Sequence, residues 1–397
     1  MLENWERAGF GIYIHWPFCE AKCPYCDFNS HVSKKIDQKA WTNAYLREIT
    51  SSYQYTSNMV LSTIFFGGGT PSLMYAETVH KIISHIKSLW KVSDNLEVTL
   101  EANPSSVETS KFTEYKSAGI NRVSIGVQSL DNNSLKYLGR LHTSQEAISA
   151  IEVGKSTFDR VSFDLIYSRQ HQSISSWEAE LLSALSLGVT HMSLYQLTIE
   201  DGTAFGDRLK IGKLPGLPSD DKSADMYNIT QDIMADHGLP QYEISNHASL
   251  GEEAQHNLIY WRSGDYIGIG PGAHGRYHTN KQRLATVKTK EPNSWLTKVK
   301  KLGNGEESSS VLTKSDQALE YLLMSARLSE GVDLNFIKSL DLHIIDQDKL
   351  KSLIESGYIF TSKDRMFVTP SGRTVLNTIL SDIISEKKYN YKPGFKN

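Results

Sequence analysis

All three cysteines of the chain, Cys19, Cys23 and Cys26, fall within eight consecutive residues of the stretch GIYIHWPFCEAKCPYCDF, Gly11 to Phe28. Cysteines kept only for packing would be scattered along 397 residues, so this grouping marks a set of ligands. An odd number cannot close into disulfides. Soft thiolates suit zinc or an iron–sulfur cluster. A closed zinc site needs a fourth ligand, for which His15 and His31 are at hand. A four-iron cluster on three thiolates instead keeps one iron open to a small molecule.

Strand and helix patterns alternate downstream of the cysteines. GIYIHWP, LSTIFFGG, EVTLEANP, RVSIGVQS, RVSFDLIY and HMSLYQLTI read as six strands. The helices between them fall over 37–53, 76–90, 108–118, 131–154 and 175–187. Such alternation predicts an α/β fold with a parallel sheet. Several strands read as apolar on both faces, as a covered parallel sheet requires. The unusual residues gather at one end of the strands: the cysteines after the first, Gly67-Gly68-Gly69-Thr70 after the second, Glu101 and Asn103 at the third. Gln128 ends the fourth, Asp164 lies late in the fifth, and Tyr195 and Gln196 lie on the sixth. Both a barrel and a doubly wound sheet carry their chemistry at that end.

The Cys-x3-Cys-x2-Cys spacing with Tyr25 before the third cysteine resembles the radical S-adenosylmethionine (SAM) superfamily. YIHWPFC, CPYCDFNS and FFGGGTPS resemble the branch that holds the oxygen-independent coproporphyrinogen III oxidases and the HemW-type heme chaperones. The resemblance implies a partial (β/α)6 barrel and a [4Fe-4S] cluster on Cys19, Cys23 and Cys26. It also implies an electron donor for the cluster and SAM on the open iron. SAM contacts carried over by matching positions are Tyr13, Tyr25, Gly68, Gly69, Thr70, Glu101, Gln128, Arg140 and Asp164. One place departs from the pattern: after the fifth strand, relatives continue Gly or Ala, an apolar residue or Arg, then Pro, whereas this chain has Ser168-Arg169-Gln170-His171.

Domains are expected over 1–205 for the barrel, 206–312 for an extension, 313–385 for a small winged-helix-like module, and 386–397 for a basic tail. The extension opens on a linker, FGDRLKIGKLPGLPSDD, and carries His256, Asn257, Tyr260 and Trp261, the family's His-Asn-x-x-Tyr-Trp motif, then IGIGPGAHGR. Imidazole is a common axial ligand of heme iron. The motif makes His256 the heme-binding candidate among His247, His256 and His274.

A formal net charge of −3 and a module with no basic stripe argue against a nucleic-acid partner. The N-terminus, MLENWERAGF, lacks the apolar core of a secretory signal, and no apolar run reaches membrane-spanning length. A cytoplasmic protein is expected, where thiols stay reduced; a peripheral membrane contact and a homodimer stay open. Oxidase and chaperone both fit the scaffold. The oxidases carry a further cysteine two positions after the third ligand, where this chain has Phe28, and a longer segment before the motif. Both differences, with the CPYCDFNS wording, favour a chaperone that delivers heme to respiratory apoproteins, leaving open whether SAM is productively cleaved.

Overall fold

The computed structural model describes residues 4–279 and 282–384. The basic tail expected over 386–397 lies outside the described residues. The chain divides into two compact units. The first runs to Val311 without 242–244 and 261–263; the second takes those two segments and the chain from Leu312 onward.

The first unit is built on strands β1 (Phe10–Trp16), β2 (Val60–Gly68), β3 (Lys91–Ala102), β4 (Arg122–Gln128), β5 (Arg160–Tyr167) and β6 (His191–Gln196). All adjacent pairs are parallel, and sheet order follows chain order without a reversal. A doubly wound sheet reverses its order at a switch point, so the sequential order gives the expected partial barrel. The sheet also extends past β1. Strand β8 (Asp265–Ile269) pairs parallel with β1. Antiparallel β9 (His274–Thr279), β10 (Gln282–Lys288) and β11 (Glu306–Val311) follow, while β7 (Asn246–Ala248) pairs with β6.

Three segments depart from expectation, the first being that read as one helix over 108–118, which is two, Ser106–Thr109 and Phe112–Ala118. The segment read as one helix over 131–154 is two, Asn132–Tyr137 and Ser144–Thr157. Gly139, at φ +70°, breaks it, and a capping box of Thr143 and Glu146 starts the second. The segment read as a linker contains a helix, Ala204–Lys210, capped by the Thr203 hydroxyl.

The barrel strands are not apolar on both faces. Their outer positions are: Ile12, Ile14, Ile64, Phe66, Val98, Leu100, Val123, Ile125, Phe163 and Leu165 are all nearly inaccessible to solvent. The register sets the inner positions side by side in rows. Gly11, Thr63 and Glu97 form one row; Tyr13, Phe65, Thr99, Arg122 and Arg160 the next; His15, Gly67, Glu101, Ser124, Ser162 and His191 the row above. Period-two alternation thus lines the barrel with polar groups. These groups pair with one another: Arg122 donates to Ser162 at 2.9 Å, and Arg160 to Glu97 at 2.7 Å.

The second unit packs helices Lys314–Ser325, Leu334–Leu340, Gln347–Glu355 and Leu376–Ile383 on a small antiparallel sheet. To the expected hairpin of β13 (Ile359–Ser362) and β14 (Arg365–Val368) the structure adds β12 (Val332–Asp333). Leu322, Val332, Ile337, Ile344, Met366 and Ile379 form its core, in the order of a winged helix. No described helix is long and apolar enough to cross a membrane.

Candidate functional site

The cysteine loop leaves β1 at Trp16 and returns through two residue pairs, Phe18–Cys19 and His31–Val32, that pair in parallel. The glycines of β2 let it sit against the barrel. Gly69 N–H donates to Trp16 O at 2.7 Å and Thr70 N–H to Phe18 O at 2.8 Å. A Cβ on Gly69 would stand 2.7 Å from Phe18 O, and one on Gly68, at φ +113°, 2.5 Å from the His15 ring. These glycines therefore have a packing reason of their own. Gly68 N–H, moreover, is already taken by Glu101 Oε2 at 3.2 Å.

Cys19 is buried, and Cys23 and Cys26 are half-buried; all three are free thiols. Burial pushes the Cys19 thiol up, opposed by a hydrogen bond with Thr70, and it feels both other thiols. Burial likewise raises Cys26, opposed by the Phe28 N–H and by Ser30, whose hydroxyl lies 3.8 Å from the sulfur. No three described His, Cys, Asp or Glu side chains are drawn together as ligands of a single metal ion.

Arg140 joins the loop to the rim. Its Nη1 donates to Cys23 Sγ at 3.4 Å, and Nη2 to Asn103 Oδ1 at 2.7 Å and Gly126 O at 2.8 Å. Its Nε is buried with no hydrogen-bond partner. Tyr25 is pushed well up by burial, opposed by Arg140, and its ring lies 6.4 Å from Phe205. Asp164 accepts from Val127 N–H at 2.9 Å and Gln128 Nε2 at 2.7 Å. Burial raises its carboxyl, and Arg140 opposes the shift. Burial raises Glu101 to about 7, opposed by Gly68 N–H and assisted by Asp164. Gln128 reaches Asp164 from a left-handed backbone, φ +70°.

Around three thiols, then, stand two half-buried carboxyls, a guanidinium with an unfilled donor, and an amide. That donor set fits a cluster on the thiols. It also fits a small zwitterion beside it, its ammonium facing the carboxyls and its carboxylate the guanidinium. Tyr13 lies one row down, within the barrel. Its hydroxyl bonds His15 Nδ1 at 3.1 Å, and its ring stacks on Phe65 and His256. His15 Nε2 donates to Asn29 O at 3.0 Å, and burial holds the imidazole down near 4, so it is neutral with Nδ1 accepting from Tyr13.

His256 departs most from expectation. It is 1% exposed, and both ring nitrogens are committed, Nδ1 to Thr63 Oγ1 at 2.6 Å and Nε2 to the Tyr260 hydroxyl at 2.7 Å. Its ring stacks on Phe65 at 5.0 Å, and burial lowers its pKa to about 3. No nitrogen is free for heme iron in this arrangement: the residue plugs the barrel beneath Tyr13. Nor do the other two histidines join it. His247 lies on β7, bonded to Gln231, and His274 is on β9.

Asn29, of the CDFNS segment, was not singled out from the sequence. Its Nδ2 donates to Pro271 O at 3.0 Å and Lys290 O at 2.9 Å, and its Oδ1 bonds His31 Nε2 at 3.0 Å. It thus ties the cysteine loop to the GIGPGAH segment. Glu48 supports that segment from below, accepting from Gly270 N–H at 2.8 Å and Gly305 N–H at 2.6 Å.

Comparison with known proteins agrees with this geometry. Residues 13–178 match the radical SAM superfamily. The chain is 36% identical over 380 residues to the heme chaperone HemW of Escherichia coli, covering 94% of this chain and 98% of that one. It is 33% identical to the mitochondrial radical S-adenosyl methionine domain-containing protein 1 of Bos taurus, covering 96% and 88%. The solved structure of the E. coli coproporphyrinogen III oxidase, HemN, superposes with a TM-score of 0.79 at 20% identity, over 94% of this chain and 89% of that one, a likeness of fold. A thiol loop, an acid-and-arginine rim on a sequential parallel barrel, and near-complete coverage at this identity place the chain in the radical SAM superfamily, in the family of the HemW heme chaperones.

Proposed function

We propose that the protein binds heme and passes it to respiratory apoproteins, with a [4Fe-4S] cluster and SAM held at the barrel mouth. The observation that carries the reading is the near full-length likeness to a heme chaperone in both directions. Phe28, where the oxidases have a further cysteine, is 63% exposed and offers no fourth thiol.

In this reading Cys19, Cys23 and Cys26 hold the cluster, which when bound supplies a one-electron couple. Arg140 places positive charge against Cys23, held there by Asn103 and Gly126. Glu101 and Asp164 receive an ammonium or hydroxyl of SAM, and Gln128 orients Asp164. Tyr25 and Thr70 flank the thiols. Gly68 and Gly69 act by letting the loop close on the barrel, and Tyr13 acts through His15 and Asn29.

The test is a heme titration of the anaerobically reconstituted protein, run beside an assay with coproporphyrinogen III, SAM and a reductant. Stoichiometric heme binding without decarboxylation is the expected result. Formation of protoporphyrinogen IX would overturn the chaperone in favour of a coproporphyrinogen dehydrogenase.

A further inference from the structure

The ladder between β4 and β5 does not reach the rim in register: pairing slips between Ile125 and Gln128. A side-chain clamp takes its place. Arg169, 5% exposed, sends Nη1 to Ile166 O at 2.8 Å on β5 and to Gln128 O at 3.4 Å on β4. Its Nη2 meets Glu180 Oε2 at 2.5 Å. Glu180 Oε1 accepts from the Ser129 hydroxyl and from Leu130 N–H, both at 2.7 Å. Every residue from 128 to 130 is therefore held by one ion pair, whose two side chains are 6% and 8% exposed.

Gln128 has reason to need holding. Its φ of +70° lies in the left-handed region, where a side chain's Cβ crowds the following carbonyl oxygen. Relaxed to an ordinary strand conformation, its side chain would swing off Asp164. The fifth-strand loop bends to supply the guanidinium: Ser168 and His171 are themselves left-handed, at φ +58° and +60°. Arg169 lies in the segment where this chain departs from the Pro-containing loop of its relatives.

We infer that Arg169 and Glu180 are positioning residues for the SAM site: the pair locks Gln128 in its left-handed conformation so that its amide fixes the Asp164 carboxylate at the rim. The inference rests on the proposal that this rim binds SAM. Neither residue touches the ligand in this account; both act through Gln128.

The experiment is equilibrium SAM binding to reconstituted full-length protein, with iron content and melting temperature measured on each preparation. Removing one member of a buried pair strands the other charge. The main variant is therefore the double Arg169→Met/Glu180→Gln, which removes both charges, with Glu180→Gln alone as a second. Each is expected to weaken SAM binding about tenfold with iron content unchanged. In a Gln128→Gly background, where the left-handed backbone is free of strain and no amide remains, the double change should cause no further loss. A pair that merely stabilises the fold would weaken both backgrounds alike, and that result overturns the inference. So does wild-type affinity in the double variant. Failure of the rim proposal is read separately: Asp164→Asn would then bind SAM as well as the wild type does.

Discussion

Arg140 Nη1 donates to the Cys23 sulfur at 3.4 Å, while its Nη2 is fixed by Asn103 and Gly126. A positive donor at a ligating sulfur stabilises the more negative, reduced form of a cluster. Arg140→Met should therefore make the cluster harder to reduce by on the order of 60 mV, the equivalent of one charged hydrogen bond of about 1.4 kcal/mol. A redox titration followed by electron paramagnetic resonance measures this; an unmoved potential would show that the guanidinium does not act on the cluster.

Serine in place of Cys19, Cys23 or Cys26 should abolish the brown absorbance after anaerobic reconstitution. The apo-protein's melting temperature should change little, because no disulfide is lost. A full cluster in any one variant removes that cysteine from the ligand set.

Glu101 predicts a pH dependence of apo-protein stability. Its folded pKa of about 7 lies above the ordinary 4.5, chiefly through burial. The folded state thus binds more protons than the unfolded state between those values, and stability falls as pH rises through that window. Glu101→Gln, which carries no charge to bury, should melt higher than the wild type at pH 8, by about 3 kcal/mol at most. The two should converge near pH 4.5. Parallel melting curves from pH 5 to 8 would contradict the assignment.

Gly69→Ala puts a methyl group 2.7 Å from Phe18 O, 2.9 Å from Phe18 C and 3.0 Å from Phe18 N. All three are backbone atoms, so no side chain can turn aside. Iron loading should fall severalfold through displacement of Cys19, read as iron per protein. Normal loading would show that the strand can give way there.

His256→Ala should lower stability by about 2–4 kcal/mol, by leaving Thr63 and Tyr260 without a buried partner and opening a cavity. The heme titration should be unchanged. Lost heme affinity at an unchanged melting temperature would restore His256 as an iron ligand.

What was legible in the sequence was local. The cysteine spacing is written in eight residues, and the parallel sheet followed from alternating strands and helices, whereas its sequential barrel order came only with the family resemblance. The rim followed from polar residues at strand ends. What was missed depends on partners far along the chain, such as the bonds of Asn29 to Pro271 and Lys290. The polar lining was hidden because apolar residues stand out in strands such as β4, although Arg122, Ser124 and Gly126 already alternate with them there. The helix at Ala204–Lys210 was obscured by Gly202, Gly206 and Gly212, which read as loop. For His256 the motif carried the position but not the state of its nitrogens, which only Thr63 and Tyr260 decide.

The bonds of Asn29 also set an order of events during synthesis. The cysteine loop leaves the ribosome well ahead of its anchors, whose carbonyls belong to residues 242 and 261 positions later. At roughly 5–20 residues per second, tens of seconds separate the emergence of the thiols from that of their anchors. Until then the loop lacks its final shape. Iron delivered to this motif therefore meets either a nascent chain with three unplaced thiols or a nearly finished barrel, and only the second presents Arg140 and the acid rim together with them.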